Sequence, residues 1–226
     1  MGLDISSING HELEGKKILL CITGSVSSME SPRIARELIK HGADVIPVLS
    51  NSASKLIGPE LLHWATGNET ITSLTGKMEH VQLANGGDDS ADLILIAPCT
   101  SNTIGKLAQG ISDDTISTIC TVGLGSNIPI VIASGMHEPM FENPILQNNI
   151  STLKKNNVTF VSPIFEHNKA KMASFNDMLA EILPRLFIQD LSGKNILITA
   201  GPTTEKIDPV RIITNKSSGK TGLALS

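Results

Sequence analysis

The run ADLILIAP (91–98) is apolar at every position but one. A strand with a solvated face alternates apolar and polar residues, so an unbroken run of this kind is covered on both sides. Similar runs recur as KKILLCITG (16–24), ADVIPVLS (43–50), IPIVIAS (128–134) and NVTFVSP (157–163). Helical patterns lie between and after them. SPRIARELIKHG (31–42) places Ile34, Ala35, Leu38 and Ile39 on one face, with Pro32 near its start and Gly42 past its end. PELLHWATG (59–67) reads as a short helix, and 172–187 repeats apolar residues at Phe175, Met178, Leu179, Ile182 and Leu186.

Buried strands alternating with helices predict an α/β chain with a Rossmann-like (flavodoxin-like) parallel sheet and helices on both faces. Such sheets bind ligands at the carboxyl ends of their strands. The pattern restarts after FIQDLSGK (187–194), where NILITAGPTTEKID looks like a further first strand and glycine turn. The expected organisation is a leader over 1–14, one α/β domain over 15–190, and the opening of a truncated domain over 191–226, poorly packed by itself. MGLDIS fits the loose myristoylation pattern, but no second anchoring signal accompanies it, and the leader reads as disordered.

With 18 Lys and Arg against 22 Asp and Glu, the net charge is −4, which argues against a broad nucleic-acid surface. No apolar run reaches membrane-spanning length. The three cysteines, Cys21, Cys99 and Cys120, are an odd number in a chain without an export signal. Free thiols and a cytoplasmic setting are therefore expected, with no metal site.

Three strand ends carry glycine and short hydroxyl side chains: ITGSVSS (22–28), VLSNSA (48–53) and APCTSNT (97–103). Each alone is explained by helix capping, since Ser and Asn are favoured N-caps. Three on one sheet edge instead suggest a phosphate cradle of backbone N–H groups and hydroxyls. The glycines do not form G-x-G-x-x-G, so a mononucleotide fits better than a dinucleotide.

ITGSVSS, the block PCTSNTIGKLAQGISDDTIST and MEHVQL (78–83) together resemble the homo-oligomeric flavin-containing cysteine decarboxylases, and within them the phosphopantothenoylcysteine decarboxylases. The tail ITAGPTTEKIDPVRIITNKSSGKTG resembles the start of the phosphopantothenate–cysteine ligases, which follow the decarboxylase in many fused prokaryotic enzymes. The resemblance implies FMN held by Gly24, Ser25, Ser50, Ser52, Ser101, Asn102 and Thr103. It implies a catalytic role for His80, whose plain alternative is a half-exposed loop histidine. Substrate would meet Met136, His137, Lys169 and Lys171.

Two departures stand out. His137 occupies the place of the family's carboxylate-binding asparagine, and EHNKAKMAS (166–174) lacks the cysteine that many members carry in a substrate clamp. Lys169 and Lys171 are equally well read as a solvated charged loop. Asp113 and Asp114 match an acidic pair of the family, or simply charge the first turn of a helix. Trp64 is expected to pack in the core or between subunits, and Met136 and Met140 to line the flavin ring. Asn215 matches a ligase-family asparagine, while that family's essential lysine would lie beyond Ser226, so no ligase activity is expected.

The implied reaction is FMN-dependent decarboxylation of 4′-phosphopantothenoylcysteine to 4′-phosphopantetheine in coenzyme A biosynthesis. The thiol is transiently oxidised, CO2 leaves, and the hydride returns, in a trimer or dodecamer with flavin at subunit boundaries. The alternatives are a peptidyl-cysteine decarboxylase, a flavin prenyltransferase, or a non-catalytic FMN-binding regulator.

Overall fold

The computed structural model describes residues 5–166, 169–187, 191 and 193–225. They form two compact units, Met1–Ile188 and Gln189–Ser226. The first unit is built on strands β1 (Lys17–Ile22), β2 (Asp44–Leu49), β3 (Leu93–Cys99), β4 (Ile130–Ser134), β5 (Met136–His137), β6 (Thr159–Val161), β7 (Ile164–Glu166) and β8 (Lys169–Lys171). Its α-helices are α1 (Ser31–Lys40), α2 (Pro59–Thr66), α3 (Glu79–Ala84), α4 (Ser101–Ala108), α5 (Thr115–Gly125), α6 (Glu138–Phe141), α7 (Pro144–Lys155) and α8 (Phe175–Leu186).

Five strands form a parallel sheet in the order β2-β1-β3-β4-β6. Successive side chains of a strand point to opposite faces, and both sets here are apolar. On β1 and β3, Ile18, Leu20, Ile22, Leu93 and Leu95 pack with α1 and α8 through Ile34, Leu38, Met178 and Ile182. Leu19, Cys21, Ile94 and Ile96 pack on the other side with Ile104 of α4, Ile119 of α5 and Ile150 of α7. Every residue of β3 is buried, as its uninterrupted apolar run requires. The helix over Ser31–Lys40 buries the four residues of its predicted stripe.

The strand order reverses at β1: the chain leaves it for β2 on one side and then returns past it to β3 on the other. Between the carboxyl ends of β1 and β3 the two loops diverge, which leaves a crevice. A second, antiparallel sheet, β5-β8-β7, stands beside the end of β4. Phe141 of α6 meets Phe165 of β7 edge-on at 5.7 Å and braces this small sheet.

Three features differ from the sequence expectations. From Ile5 onward the leader is not loose: Ser7 N–H donates to Ile39 O at 3.1 Å and Leu13 N–H to His41 O at 2.9 Å. Leu13 is fully buried and Ile5 packs against the same core, and these apolar anchors hold the segment in place. Trp64 is 63% exposed, with the Arg36 guanidinium 4.9 Å from its ring centroid, so within one chain it is not a core residue. In the second unit, β9 (Thr204–Lys206) and β10 (Ile212–Thr214) form an antiparallel hairpin, followed by α9 (Lys220–Leu225). NILITAG, expected as a strand, has no partner among the described residues and forms none; Leu197 is 91% exposed.

Asp114 is the N-cap of α5, accepting from Ser117 N–H at 2.8 Å within a reciprocal capping box. Lys106 Nζ lies 2.6 Å from Asp113 and 2.8 Å from Asp114. Burial opposes the Asp114 charge, but the hydrogen bonds from Lys106 and Ser117 outweigh it and hold the carboxyl below its ordinary value. A carboxyl so depressed stabilises the fold above its unfolded pKa of about 3.9, and this contribution disappears as pH falls through the lower folded value. Asp114→Ala should therefore cost about 1 kcal/mol at neutral pH. Urea unfolding should show that difference shrinking below about pH 4; a gap that widens on acidification would contradict the assignment.

Candidate flavin site

The first loop begins with Thr23, which is 2% exposed, and continues through Gly24 and Ser25 into a short 3₁₀ turn, Val26–Glu30. Ser25 Oγ accepts from Ser27 N–H at 3.3 Å and donates to Gly135 O at 3.2 Å, so this loop is fastened to the end of β4. A Cβ added to Gly24 would lie 2.4 Å from Ser52 Cβ, and one added to Gly135 would lie 2.9 Å from Ser27 Oγ. At both places the chains approach more closely than any side chain permits.

In the second loop, Ser50 N–H donates to Ile22 O at 3.1 Å, and Ser50 Oγ accepts from Ala53 N–H at 3.2 Å. The third loop is a tight strand-to-helix junction in which Thr100 is the N-cap of α4 and Thr103 N–H donates to its hydroxyl at 3.4 Å. Thr103 is buried and its hydroxyl pairs with that of Thr100. The N–H groups of Ser101 and Asn102 belong to the first turn and have no intrahelical acceptor. They leave partial positive charge at the sheet edge.

The first and third loops and the small antiparallel sheet line a cleft of about 440 Å³. Of the residues singled out from sequence, Gly24, Ser25, Ser101, Met136, His137, Met140 and Lys171 line it, together with Thr100 and Ser27. Among the described lining residues there is no carboxylate, and the ionisable ones are His137 and Lys171. The cleft thus suits an anion lying against a flat apolar body: hydroxyls and a helix N-terminus at one end, methionine side chains beside them. Thr100, which the sequence analysis did not single out, is a wall of the cleft, and its N-cap position before a helical pattern was the available signal.

Ser50, Ser52, Asn102, Thr103 and His80 do not line this cleft. Ser52 touches the back of Gly24, Ser50 and Thr103 are engaged within their own loops, and Asn102 is exposed. The backbone of Lys169 pairs with that of His137, and its side chain lies outside the described part of the structure. His80 stands in the first turn of α3, behind Met78 in the left-handed region at φ 58°. Its Nδ1 is buried with no hydrogen-bond partner among the described residues. The neighbouring Glu79 accepts hydrogen bonds from the Thr75 hydroxyl and, at 3.0 Å, the Thr75 N–H; these hold its carboxyl below the usual range. Asn215, in the second unit, accepts from Thr203 N–H at 3.1 Å.

The cysteines are free and buried. A hydrogen bond with Cys120, followed by burial, pushes the Cys21 thiol up, and burial does the same to Cys99. Both remain protonated near neutral pH and supply no nucleophile. No group of side chains among the described residues could hold a metal ion, and no helix is long and apolar enough to cross a membrane.

A doubly wound parallel sheet with a hydroxyl-rich cleft at its switch point suits a phosphorylated planar ligand. Residues 6–187 match the Flavoprotein family, and the chain belongs to it. Residues 191–226 match the DNA/pantothenate metabolism flavoprotein C-terminal domain. The chain is 46% identical over 222 residues to the coenzyme A biosynthesis bifunctional protein CoaBC of Thermococcus kodakarensis, covering 98% of this chain and 55% of that protein. It is 40% identical over 216 residues to the CoaBC protein of Methanocaldococcus jannaschii, covering 95% and 52%. It therefore spans about half the length of these curated relatives. Among solved structures, the peptidyl-cysteine decarboxylase EpiD superposes with a TM-score of 0.66 at 28% identity, over 74% of this chain and 98% of that one. The FMN-dependent cysteine decarboxylase SpaF gives 0.64 at 25%, over 76% and 97%.

The close approach at Gly24 yields a direct test. Gly24→Ala should destabilise the chain by about 1–3 kcal/mol through overpacking against Ser52. Adding Ser52→Gly should recover most of that loss in thermal unfolding. Additive losses in the double variant would mean that the two loops do not touch.

Proposed function

We propose that this chain carries the FMN-dependent decarboxylation of 4′-phosphopantothenoylcysteine to 4′-phosphopantetheine in coenzyme A biosynthesis. The observation that carries this reading is the cleft itself, lined by hydroxyls and a helix N-terminus, on a chain aligned over nearly its whole length with coenzyme A biosynthesis proteins. The residues present fit FMN: the glycines bring backbone close, and the α4 N-terminus with Ser25 and Ser101 offers donors for a phosphate. Ser50, Ser52, Asn102 and Thr103 shape that same edge. Met136 and Met140 offer polarisable surface for the ring.

FMN, when bound, supplies a reversible acceptor for a hydride, without which loss of CO2 would leave an unstabilised carbanion. His137 and Lys171, both in the cleft wall, take the substrate's anionic groups, His137 the carboxylate and Lys171, with Lys169, the phosphate. His80 positions the substrate and holds its protons. Because His80 does not line the cleft of its own chain, the working unit is a homo-oligomer, a trimer or a dodecamer of it, in which His80 of one copy completes the cleft of another. Exposed Val26, Met29, Leu61 and Trp64 supply apolar surface for that assembly.

The purified chain should be yellow, release CO2 from 4′-phosphopantothenoylcysteine and yield a saturated thiol by mass spectrometry. His80→Asn should lower kcat by about 10²–10⁴-fold while FMN stays bound. Turnover untouched by that substitution would refute the role of His80, and an enethiol product would point to an enzyme that stops after oxidative decarboxylation.

A further inference from the structure

The ladder between β1 and β3 ends at the pair Cys21 and Ile96, before either loop begins. Beyond it the two chains would separate, because one turns into Gly24 and Ser25 and the other into α4. They are held together by one residue, through its backbone and its side chain. Thr23 N–H donates to Pro98 O at 3.1 Å, and Thr23 Oγ1 donates to the same oxygen at 2.9 Å. The same Oγ1 accepts from Thr100 N–H at 2.9 Å. The hydroxyl therefore stands in for a missing ladder partner: it satisfies a backbone donor that continued pairing would have satisfied.

Thr100 is the residue on which the second loop turns. Its carbonyl accepts from Ile104 N–H at 3.0 Å and its hydroxyl caps Thr103, so with its N–H fixed by Thr23 all its polar groups are engaged. Thr23 is followed directly by Gly24 and Ser25, and Thr100 directly by Ser101; all four of Gly24, Ser25, Thr100 and Ser101 line the cleft. Thr23 is 2% exposed and is not among the residues lining the cleft, yet its hydroxyl bridges the two walls.

We propose that Thr23 is the positioning residue of the flavin cleft. Its hydroxyl, rather than its bulk, holds the α4 N-terminus at the distance from Gly24 and Ser25 at which one phosphorylated ring is gripped by both. The inference rests on the FMN reading above and adds a residue that does not touch the ligand. A residue important only for folding would lower stability and leave the affinity of the folded protein unchanged; a positioning residue changes affinity in the folded protein.

The test is FMN titration of the assembled chain, followed by quenching of flavin fluorescence, under conditions where each variant is folded by circular dichroism. Thr23→Val keeps the shape and removes both hydroxyl hydrogen bonds. It should raise the FMN Kd by about tenfold or more, the factor for a lost buried hydrogen bond. It should also shrink the rise in Tm that saturating FMN gives, by the same mass action. Thr23→Ser, which restores the oxygen without the methyl, should bring Kd back to within about threefold of the original chain, below the loss of one hydrogen bond.

A Val variant that binds FMN as the original does overturns the proposal, as does a Ser variant as weak as Val. Should Thr23→Val not fold, Thr23→Ala takes its place in the comparison; failure of both to fold would put the hydroxyl in folding alone and overturn the proposal too. An original chain that folds, assembles and binds no FMN instead overturns the FMN reading, and the two failures are thereby told apart.

Discussion

The structure depends on the burial of both faces of β3. Seven consecutive residues without a solvated side can only be the middle of a sheet, and a parallel sheet covered by helices is the arrangement that provides two apolar layers. Once β3 is central, chain connectivity does the rest. Each crossover returns the chain to the same sheet edge, so every loop that follows a strand opens on one side of the molecule. Residues far apart in sequence, Gly24, Ser101 and Gly135, converge there without any contact between their own side chains having to draw them together.

Convergence alone does not make a cleft of fixed width. That comes from a few hydrogen bonds placed where ladders end: Thr23 to Pro98 and Thr100, Ser25 to Gly135. These bonds are short-range and buried or half-buried, so they act as fixed spacers between loops rather than as sources of large net stability. Among the described residues lining the cleft they frame there is no carboxylate, and the ionisable ones on its far wall are His137 and Lys171. Its electrostatics therefore favour an anion before any specific contact is considered. The Flavoprotein family match over 6–187 agrees with that character.

The sheet was legible in the sequence because its signal is local: apolar runs and helical stripes depend on neighbouring residues only, and the predicted strands at 16–24, 43–50, 91–98, 128–134 and 157–163 all form. The small β5-β8-β7 sheet was not legible. Met136, His137 and Lys169–Lys171 pair across some thirty residues, and strands of two and three residues carry no periodicity to read. Thr23 was missed for a related reason. A threonine after a strand looks like any cap, and only the register 75 residues away shows what its hydroxyl meets. The expected strand at NILITAG failed in the opposite sense: the local signal was present, but a strand needs a neighbour, and none is described.

The most direct measure of the central claim, that linked strand ends form one pocket for a phosphorylated isoalloxazine, is amide hydrogen exchange of the assembled chain with and without FMN. The account predicts slowed exchange confined to the carboxyl edge, in residues 24–27, 50–53, 100–103 and 135–137, with the opposite edge around Asn127 and Asn157 unchanged. Protection that is absent in the folded chain, or that appears at that opposite edge instead, would contradict it.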